Sequence, residues 1–286
     1  MEHCYADVNG VRLHYMKAGA GPLILFLHGF PEFWYEWRRQ LPEFATDHFV
    51  VAPDMRGYNL SSKPAEVEQY AMPHLVEDVR SLAEHLGYGK FVLVGHDWGG
   101  AVAWAFAIQH PGSLEKLVIV NAPHPGVFSK LLRENPAQQQ ASQYMVEFRN
   151  PGIDAWFAAD NFAALRLAML GTGLREGVFT DEEWKDYRSA WSQPGAVTGA
   201  LNYYRAMPSG RETGNYAVDP AQLKVAVPTL VLWGERDPAL TIYNVEGLSE
   251  YVPNLTVKRF PTGSHWVIHE QPEAINNAIR EFVRGT

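Results

Sequence analysis

The 286-residue sequence has little of what marks secreted, membrane-spanning or nucleic-acid-binding proteins. Its single cysteine, Cys4, cannot form an internal disulfide and fits a reducing cytosol as an incidental thiol near a flexible end. The first residues have no basic segment followed by an apolar one, so no secretory signal is predicted. No apolar run reaches the length of a membrane span, and no basic cluster accompanies the net charge of −8. We therefore expect a cytoplasmic protein with neither a membrane nor a nucleic acid as partner.

Apolar residues, by contrast, make up 47% of the chain, which is enough for a large core. Short uninterrupted apolar runs are typical of parallel strands buried on both faces. Apolar residues at helical spacing lie between several of these runs, which predicts a parallel α/β sheet with right-handed crossovers. The predicted strands cover residues 11–15, 23–27, 49–52, 91–94, 117–120, 229–233 and 255–260.

This alternation stops between about residues 125 and 220, where the chain is rich in aromatic residues and has helical signals such as a capping box at Thr180 and Glu183. We interpret the stretch as a helical insertion over the end of the sheet. The predicted organisation is a core of residues 1–125 and 220–286, with a helical cap of residues 126–219 inserted after the sixth strand.

Residues 95–100 (Gly-His-Asp-Trp-Gly-Gly) follow a predicted buried strand and open a predicted helix. This layout matches a nucleophile elbow, with Asp97 where many enzymes have serine. A carboxylate nucleophile suits displacement at a saturated carbon, which gives an alkyl-enzyme ester. The alternative is a glycine-rich strand-to-helix turn with a capping aspartate, which is common in α/β proteins.

Residues 28–31 (His-Gly-Phe-Pro) follow the strand at residues 23–27. Here the backbone amide of Phe30 could join that of Trp98 in a two-donor oxyanion hole. The alternative is an ordinary turn in which His28 is merely packed.

Later loops supply an acid and a histidine, Asp237 and His265, in the chain order of the α/β-hydrolases. An aspartate at this point can hold a histidine in one tautomer, and Glu235 is its competitor. His269 rivals His265, but we interpret it as a structural residue at the start of the final helix. His96 is expected to pack against the elbow. No histidine or cysteine spacing indicates a metal site.

Together, these motifs resemble the α/β-hydrolase superfamily, and specifically its epoxide hydrolases, over essentially the whole chain. Residues 28–32 resemble the H-G-x-P oxyanion motif, whose proline is typically cis, and residues 95–100 match the G-x-D-W-G nucleophile turn. Asp237 and His265 match the family's acid and histidine.

The resemblance also implies that two tyrosines of the cap assist ring opening. Residues 144–152 resemble the stretch with the first, which is Tyr144, and residues 202–205 resemble the stretch with the second. We place the second on Tyr204, with Tyr203 as the alternative. Without the resemblance, these tyrosines would be interpreted as ordinary aromatic residues of the cap core.

The implied reaction begins with attack of Asp97 on an epoxide carbon while the two tyrosines donate to the epoxide oxygen. His265, oriented by Asp237, then activates the water that hydrolyses the ester, and a vicinal diol leaves. The implied partners are a small apolar epoxide and water. The resemblance implies no cofactor and no metal.

Three alternatives differ in chemistry. A haloalkane dehalogenase would share the triad but needs two halide donors; the Trp98 indole could be one, whereas Phe30 stands where that family commonly has asparagine. A fluoroacetate dehalogenase would have arginines behind the elbow, and residues 99–105 contain none. A non-catalytic ligand sensor could lose the triad, yet every catalytic position is filled.

Overall fold

The computed structural model describes residues 1–207 and 219–285. In this part of the chain, eight strands form one sheet in the order β1-β2-β4-β3-β5-β6-β7-β8. The β1–β2 and β2–β4 pairs are antiparallel, and the other pairs are parallel. The predicted α/β class is confirmed. No helix in the described ranges is long and apolar enough to cross a membrane.

The strands are β1 (Glu2–Val8), β2 (Val11–Ala18), β3 (Leu23–Leu27), β4 (Phe49–Pro53), β5 (Phe91–His96), β6 (Leu114–Val120), β7 (Thr229–Gly234) and β8 (Leu255–Phe260). The α-helices of the described residues are α1 (Leu41–Phe44), α2 (Met72–His85), α3 (Asp97–Gln109), α4 (Pro125–Glu134), α5 (Pro136–Ala141), α6 (Gln143–Glu147), α7 (Ile153–Ala158), α8 (Ala163–Gly171), α9 (Asp181–Trp191), α10 (Ala196–Arg205), α11 (Val267–Glu270) and α12 (Pro272–Arg284).

The central strands β3, β5 and β7 are buried along their whole length, and buried apolar clusters lie on both faces of the sheet. This explains why their sequences are unbroken apolar runs. The edge strand β1 was missed because most of its residues are exposed or half-buried and many are polar. The expectation of a flexible end around Cys4 was therefore wrong, since Cys4 pairs with Tyr15 of β2.

Helices α4 to α10 lie between β6 and β7, where the helical insertion was predicted. The capping box at Thr180 and Glu183 is present. Hydrogen bonds tie these helices to loops after β3 and β4: the Trp191 indole donates to the Pro31 carbonyl (2.6 Å), and the Tyr203 hydroxyl donates to the Arg56 carbonyl (2.9 Å). The helices therefore cover the carboxyl edge of the sheet, where α/β proteins place their ligands. The cap boundaries stay a prediction, and residues 208–218 and 286 lie outside the described residues.

Candidate active site

The turn between β5 and α3 presents Asp97 at the carboxyl edge of the sheet. Its φ of 49° is left-handed, an uncommon conformation for a residue other than glycine. Gly99 is required on the next turn because a Cβ there would collide with the backbone of Leu27 and His28. This close approach of α3 to the end of β3 places Asp97 beside the loop that follows β3.

Two backbone amides hold the Asp97 carboxylate. The Phe30 amide donates to Oδ1 at 2.8 Å, and the Trp98 amide also donates to the carboxylate. Gly29 makes this approach possible, since a Cβ on it would lie 2.5 Å from the Cβ of Asp97. The Phe30–Pro31 peptide bond is cis. Burial raises the pKa of Asp97, while the charge of His265 and the two amide hydrogen bonds oppose the rise.

His265 lies between two carboxylates. Its Nδ1 is 2.7 Å from Oδ2 of Asp237, and its Nε2 is 3.6 Å from Oδ2 of Asp97. Burial would lower the pKa of His265, but the Asp237 charge and hydrogen bond, together with the Asp97 charge, raise it to about 9. The Asp237 carboxylate thus fixes Nδ1 as a donor and leaves Nε2 facing the elbow.

The Asp237 carboxylate is itself fully engaged. Its Oδ1 accepts from the amides of Ala239 and Leu240, each at 2.9 Å, and its Oδ2 also accepts from Nδ2 of Asn121 at 2.9 Å. Asn121 was missed by the sequence reasoning. The sequence could have indicated Asn121, because it is the first residue after the buried strand β6 and therefore lies at the carboxyl edge of the sheet.

A second missed residue, Gln138 of α5, ties the helical insertion to the loop after Asp237. Its Nε2 donates to the Ala239 carbonyl at 2.9 Å, and its Oε1 accepts from the Thr241 amide at 2.9 Å and from Asn244 at 2.8 Å. The side chain is fully buried. Its sequence context, a run of three glutamines, gave no indication of this.

Tyr144 and Tyr204 lie on the wall of one cavity with Asp97 and His265. The cavity has a volume of about 320 Å³, and the two phenol rings are 6.1 Å apart, centre to centre. Burial raises the pKa of both phenols well above the ordinary value of 10.0, so both are neutral proton donors. The Trp98 side chain, whose ring centre is 5.2 Å from that of Tyr204, opposes that shift for Tyr204.

The alternative candidates are engaged elsewhere. The Tyr203 hydroxyl donates to the Arg56 carbonyl, and Glu235 pairs with Arg259 at 2.6 Å. His28 is packed, with Nδ1 2.9 Å from the Gly29 carbonyl and Nε2 accepting from the Met55 amide. These contacts favour Tyr204 over Tyr203 and Asp237 over Glu235.

We expected His269 at the start of the final helix, and the structure places it before that helix. It lies in the short helix α11, and the final helix, α12, starts at Pro272. It is buried, and its Nε2 is 2.9 Å from Oε1 of Glu32. Behind the elbow, Glu32 is close to His96, which was expected to pack there, and to Glu36, a further buried polar group that the sequence reasoning did not connect to the site.

A second cavity of about 270 Å³ also reaches Asp97 and Tyr144. It is lined almost entirely by apolar side chains, and among the described residues no arginine lines either cavity. The other lining residues of the second cavity are Tyr70, Met72, Trp98, Ala101, Ala105, Pro123, Pro125, Phe128, Met145, Tyr203, Ala206, Met207 and Leu240.

Comparison with known proteins shows what this arrangement resembles. Residues 22–272 match the family model of the α/β-hydrolase fold. The chain is 39% identical to epoxide hydrolase 4 of Mus musculus, in an alignment that covers 99% of this chain and 79% of the mouse protein.

Comparison with solved structures also finds epoxide hydrolases. An epoxide hydrolase of Bacillus megaterium in complex with an inhibitor superimposes with a TM-score of 0.93 at 40% identity, over 99% of this chain and 100% of that one. A mutant of the Bacillus megaterium enzyme, complexed with its product, a naphthyloxy-propanediol, has a TM-score of 0.90 at 38% identity and the same coverage.

Proposed function

The chain belongs to the epoxide hydrolases of the α/β-hydrolase fold, and we propose that it opens epoxides through a covalent hydroxyalkyl ester on Asp97. The observation that carries this proposal is the environment of the Asp97 carboxylate. Two amides hold it, and a histidine nitrogen lies 3.6 Å away with a second carboxylate behind it.

In the first step, a carboxylate oxygen of Asp97 attacks an epoxide carbon and the C–O bond of the ring breaks. The oxygen that leaves stays tethered and needs a proton, because an alkoxide is a poor leaving group. Tyr144 and Tyr204 share the cavity with Asp97 and are neutral, so we assign them as the general acids. Both belong to the proposed cap of residues 126–219.

In the second step, His265 removes a proton from water, and the hydroxide attacks the ester carbonyl carbon of Asp97. The resulting oxyanion is stabilised by the amides of Phe30 and Trp98. When it collapses, the ester C–O bond breaks, the departing diol oxygen takes the proton from His265, and the proton left on the Asp97 carboxyl group returns to the tyrosine that donated one in the first step. The charge of Asp97 contributes to the raised pKa of His265. Because alkylation removes that charge, the pKa of His265 falls in the ester, which favours the neutral base that the second step needs.

The substrate class that fits this site is an apolar, aryl-bearing epoxide. Two largely apolar cavities meet at Asp97 and Tyr144, and several aromatic side chains line them. The naphthyloxy-propanediol product in the related Bacillus megaterium structure supports an aryl group as well.

Halide release fits the site less well. A departing halide takes two N–H donors rather than a proton, and the Trp98 side chain could supply one of them. Phe30 offers an amide, which holds Asp97, but no side-chain donor. Among the described residues, no arginine lines either cavity to bind the carboxylate of a haloacetate.

An activity screen tests the proposal. Aryl and alkyl epoxides, haloalkanes and haloacetates are incubated with the purified protein, and diol formation and halide release are measured for each. We expect diols from apolar epoxides and no comparable halide release, with the Asp97→Ala variant inactive. Halide release from haloalkanes that far exceeds diol formation would replace the proposal with a dehalogenase.

A further inference from the structure

Glu36 is a fully buried carboxyl group directly behind the oxyanion loop. Its Oε2 accepts from the Gly29 amide at 2.7 Å, and its Oε1 lies 3.2 Å from Nδ1 of His96. Both side chains have no exposed surface. The next amide along the chain, that of Phe30, is the one that holds Asp97. Glu36 thus fastens the same turn from the opposite side.

The protonation state of the Glu36 carboxyl group follows from the atoms around it. Nε2 of His96 lies 2.9 Å from the His265 carbonyl, which can only accept, so Nε2 bears the hydrogen. Burial lowers the pKa of His96 far below the usual value, so the ring is neutral and Nδ1 is an acceptor. Oε1 of Glu36 and Nδ1 of His96 are buried and face each other, and the carboxyl group of Glu36 also contacts that of Glu32, which favours a proton on Glu36. A proton on Glu36 satisfies both atoms.

The other charges around Glu36 lead to the same assignment. Glu32 accepts from Tyr187 and His269. Burial raises the pKa of Glu32, but the charge and hydrogen bond of His269, together with the contact with Glu36, bring it to about 2. Burial, followed by the charge of Glu32, raises the pKa of Glu36 well above its usual value. The ionisable groups that act on Glu36 are Glu32, Tyr58, His96, Asp97 and Tyr187.

We infer that Glu36 is a positioning residue, a neutral carboxylic acid that accepts from Gly29 and donates to His96. In this way it fixes the oxyanion turn relative to the backbone of His265. This inference rests on the proposed ester mechanism, and it makes the two steps unequally sensitive to Glu36. During alkylation Asp97 loses its charge, so the Phe30 amide contributes little. During hydrolysis an oxyanion develops on the Asp97 carbonyl oxygen, and the amide must point at it.

The test compares Glu36→Gln, which keeps a carbonyl acceptor and an N–H donor, with Glu36→Leu, which keeps neither. The control is Gln40→Leu, which removes a buried polar side chain nearby that contacts Asn276 instead. Single-turnover kinetics with an epoxide such as styrene oxide give the rates of ester formation and of ester hydrolysis. Loss of an oxyanion donor typically costs about 10²–10³-fold, so a displaced donor should cost roughly tenfold or more.

We expect Glu36→Leu to slow hydrolysis roughly tenfold or more relative to alkylation, so that ester accumulates, while Glu36→Gln and Gln40→Leu keep the wild-type ratio. A structural role alone would reduce the active fraction and leave the ratio of the two rates unchanged. Equal loss in both steps, or a Glu36→Gln variant as impaired as Glu36→Leu, would overturn the inference. An absence of ester in the wild type would instead contradict the proposed function.

Two further measurements do not depend on the leucine variant folding. Infrared spectroscopy should show the carbonyl band of a protonated carboxylic acid in the wild type, and Glu36→Gln should lack it. Because ligand atoms of Glu32, Glu36 and His96 lie within 4.8 Å of one another, elemental analysis of the purified protein checks for a metal ion. A stoichiometric ion, or no protonated-acid band, would refute the neutral carboxyl group.

Discussion

Removal of the hydroxyl groups of Tyr144 and Tyr204 separates epoxide opening from other chemistry at Asp97. Tyrosine-to-phenylalanine changes keep the ring and remove the proton donor. General acid catalysis typically contributes about 10²–10⁴-fold, or roughly 3–5 kcal/mol of activation free energy. Both rings line the cavity with Asp97 and are 6.1 Å apart. One phenol can therefore partly replace the other, and the double variant should lose about that factor while single variants lose less.

The assay is single-turnover alkylation by an aryl epoxide, with thermal unfolding measured in parallel. Tyr203→Phe is the matched control, because its hydroxyl is buried and donates to the Arg56 carbonyl. Loss of that bond should cost about 0.5–1.5 kcal/mol of unfolding free energy and change ring opening little. A double variant that opens epoxides at nearly the wild-type rate would refute the assignment of the two tyrosines.

Three other outcomes follow from the site. Asp237→Ala should slow ester hydrolysis far more than alkylation in single-turnover kinetics, whereas Glu235→Ala should change neither; equal loss in both steps would make Asp237 structural. His265 has a pKa of about 9 in the folded protein, against 6.5 in the unfolded chain. The stability that it contributes is therefore complete below pH 6.5 and disappears as the pH rises through 9. The free energies of unfolding of wild type and His265→Gln, measured in urea, should converge over that range. Gln138→Leu leaves buried partners unsatisfied and should cost about 2–5 kcal/mol in the same assay.

The fold and the core of the candidate site could be predicted because their signals are local in sequence. Fully buried strands appear as apolar runs, and residues 95–100 contain Gly99, the glycine that the close approach to Leu27 and His28 requires. Asp237 and His265 follow strands, so their chain order indicated which loops meet. Their catalytic roles stay predictions, as do the boundaries of the cap.

What could not be predicted depends on contacts between residues distant in sequence. Tyr203 and Tyr204 are adjacent, and only the direction of the Tyr203 hydroxyl toward Arg56 separates them. Gln138 and Glu36 have no local motif, because their partners come from other loops. The edge strand β1 lacks the apolar run that revealed the central strands.

The most direct test of the covalent mechanism is the mass of the His265→Gln variant after it is mixed with an aryl epoxide. Without the base that activates water, the second step should stop and the ester should accumulate. We expect intact mass spectrometry to show the protein heavier by one substrate mass, and peptide mapping to place the addition on Asp97. An adduct on another residue, or no adduct although the wild type turns the same epoxide over, would contradict the account.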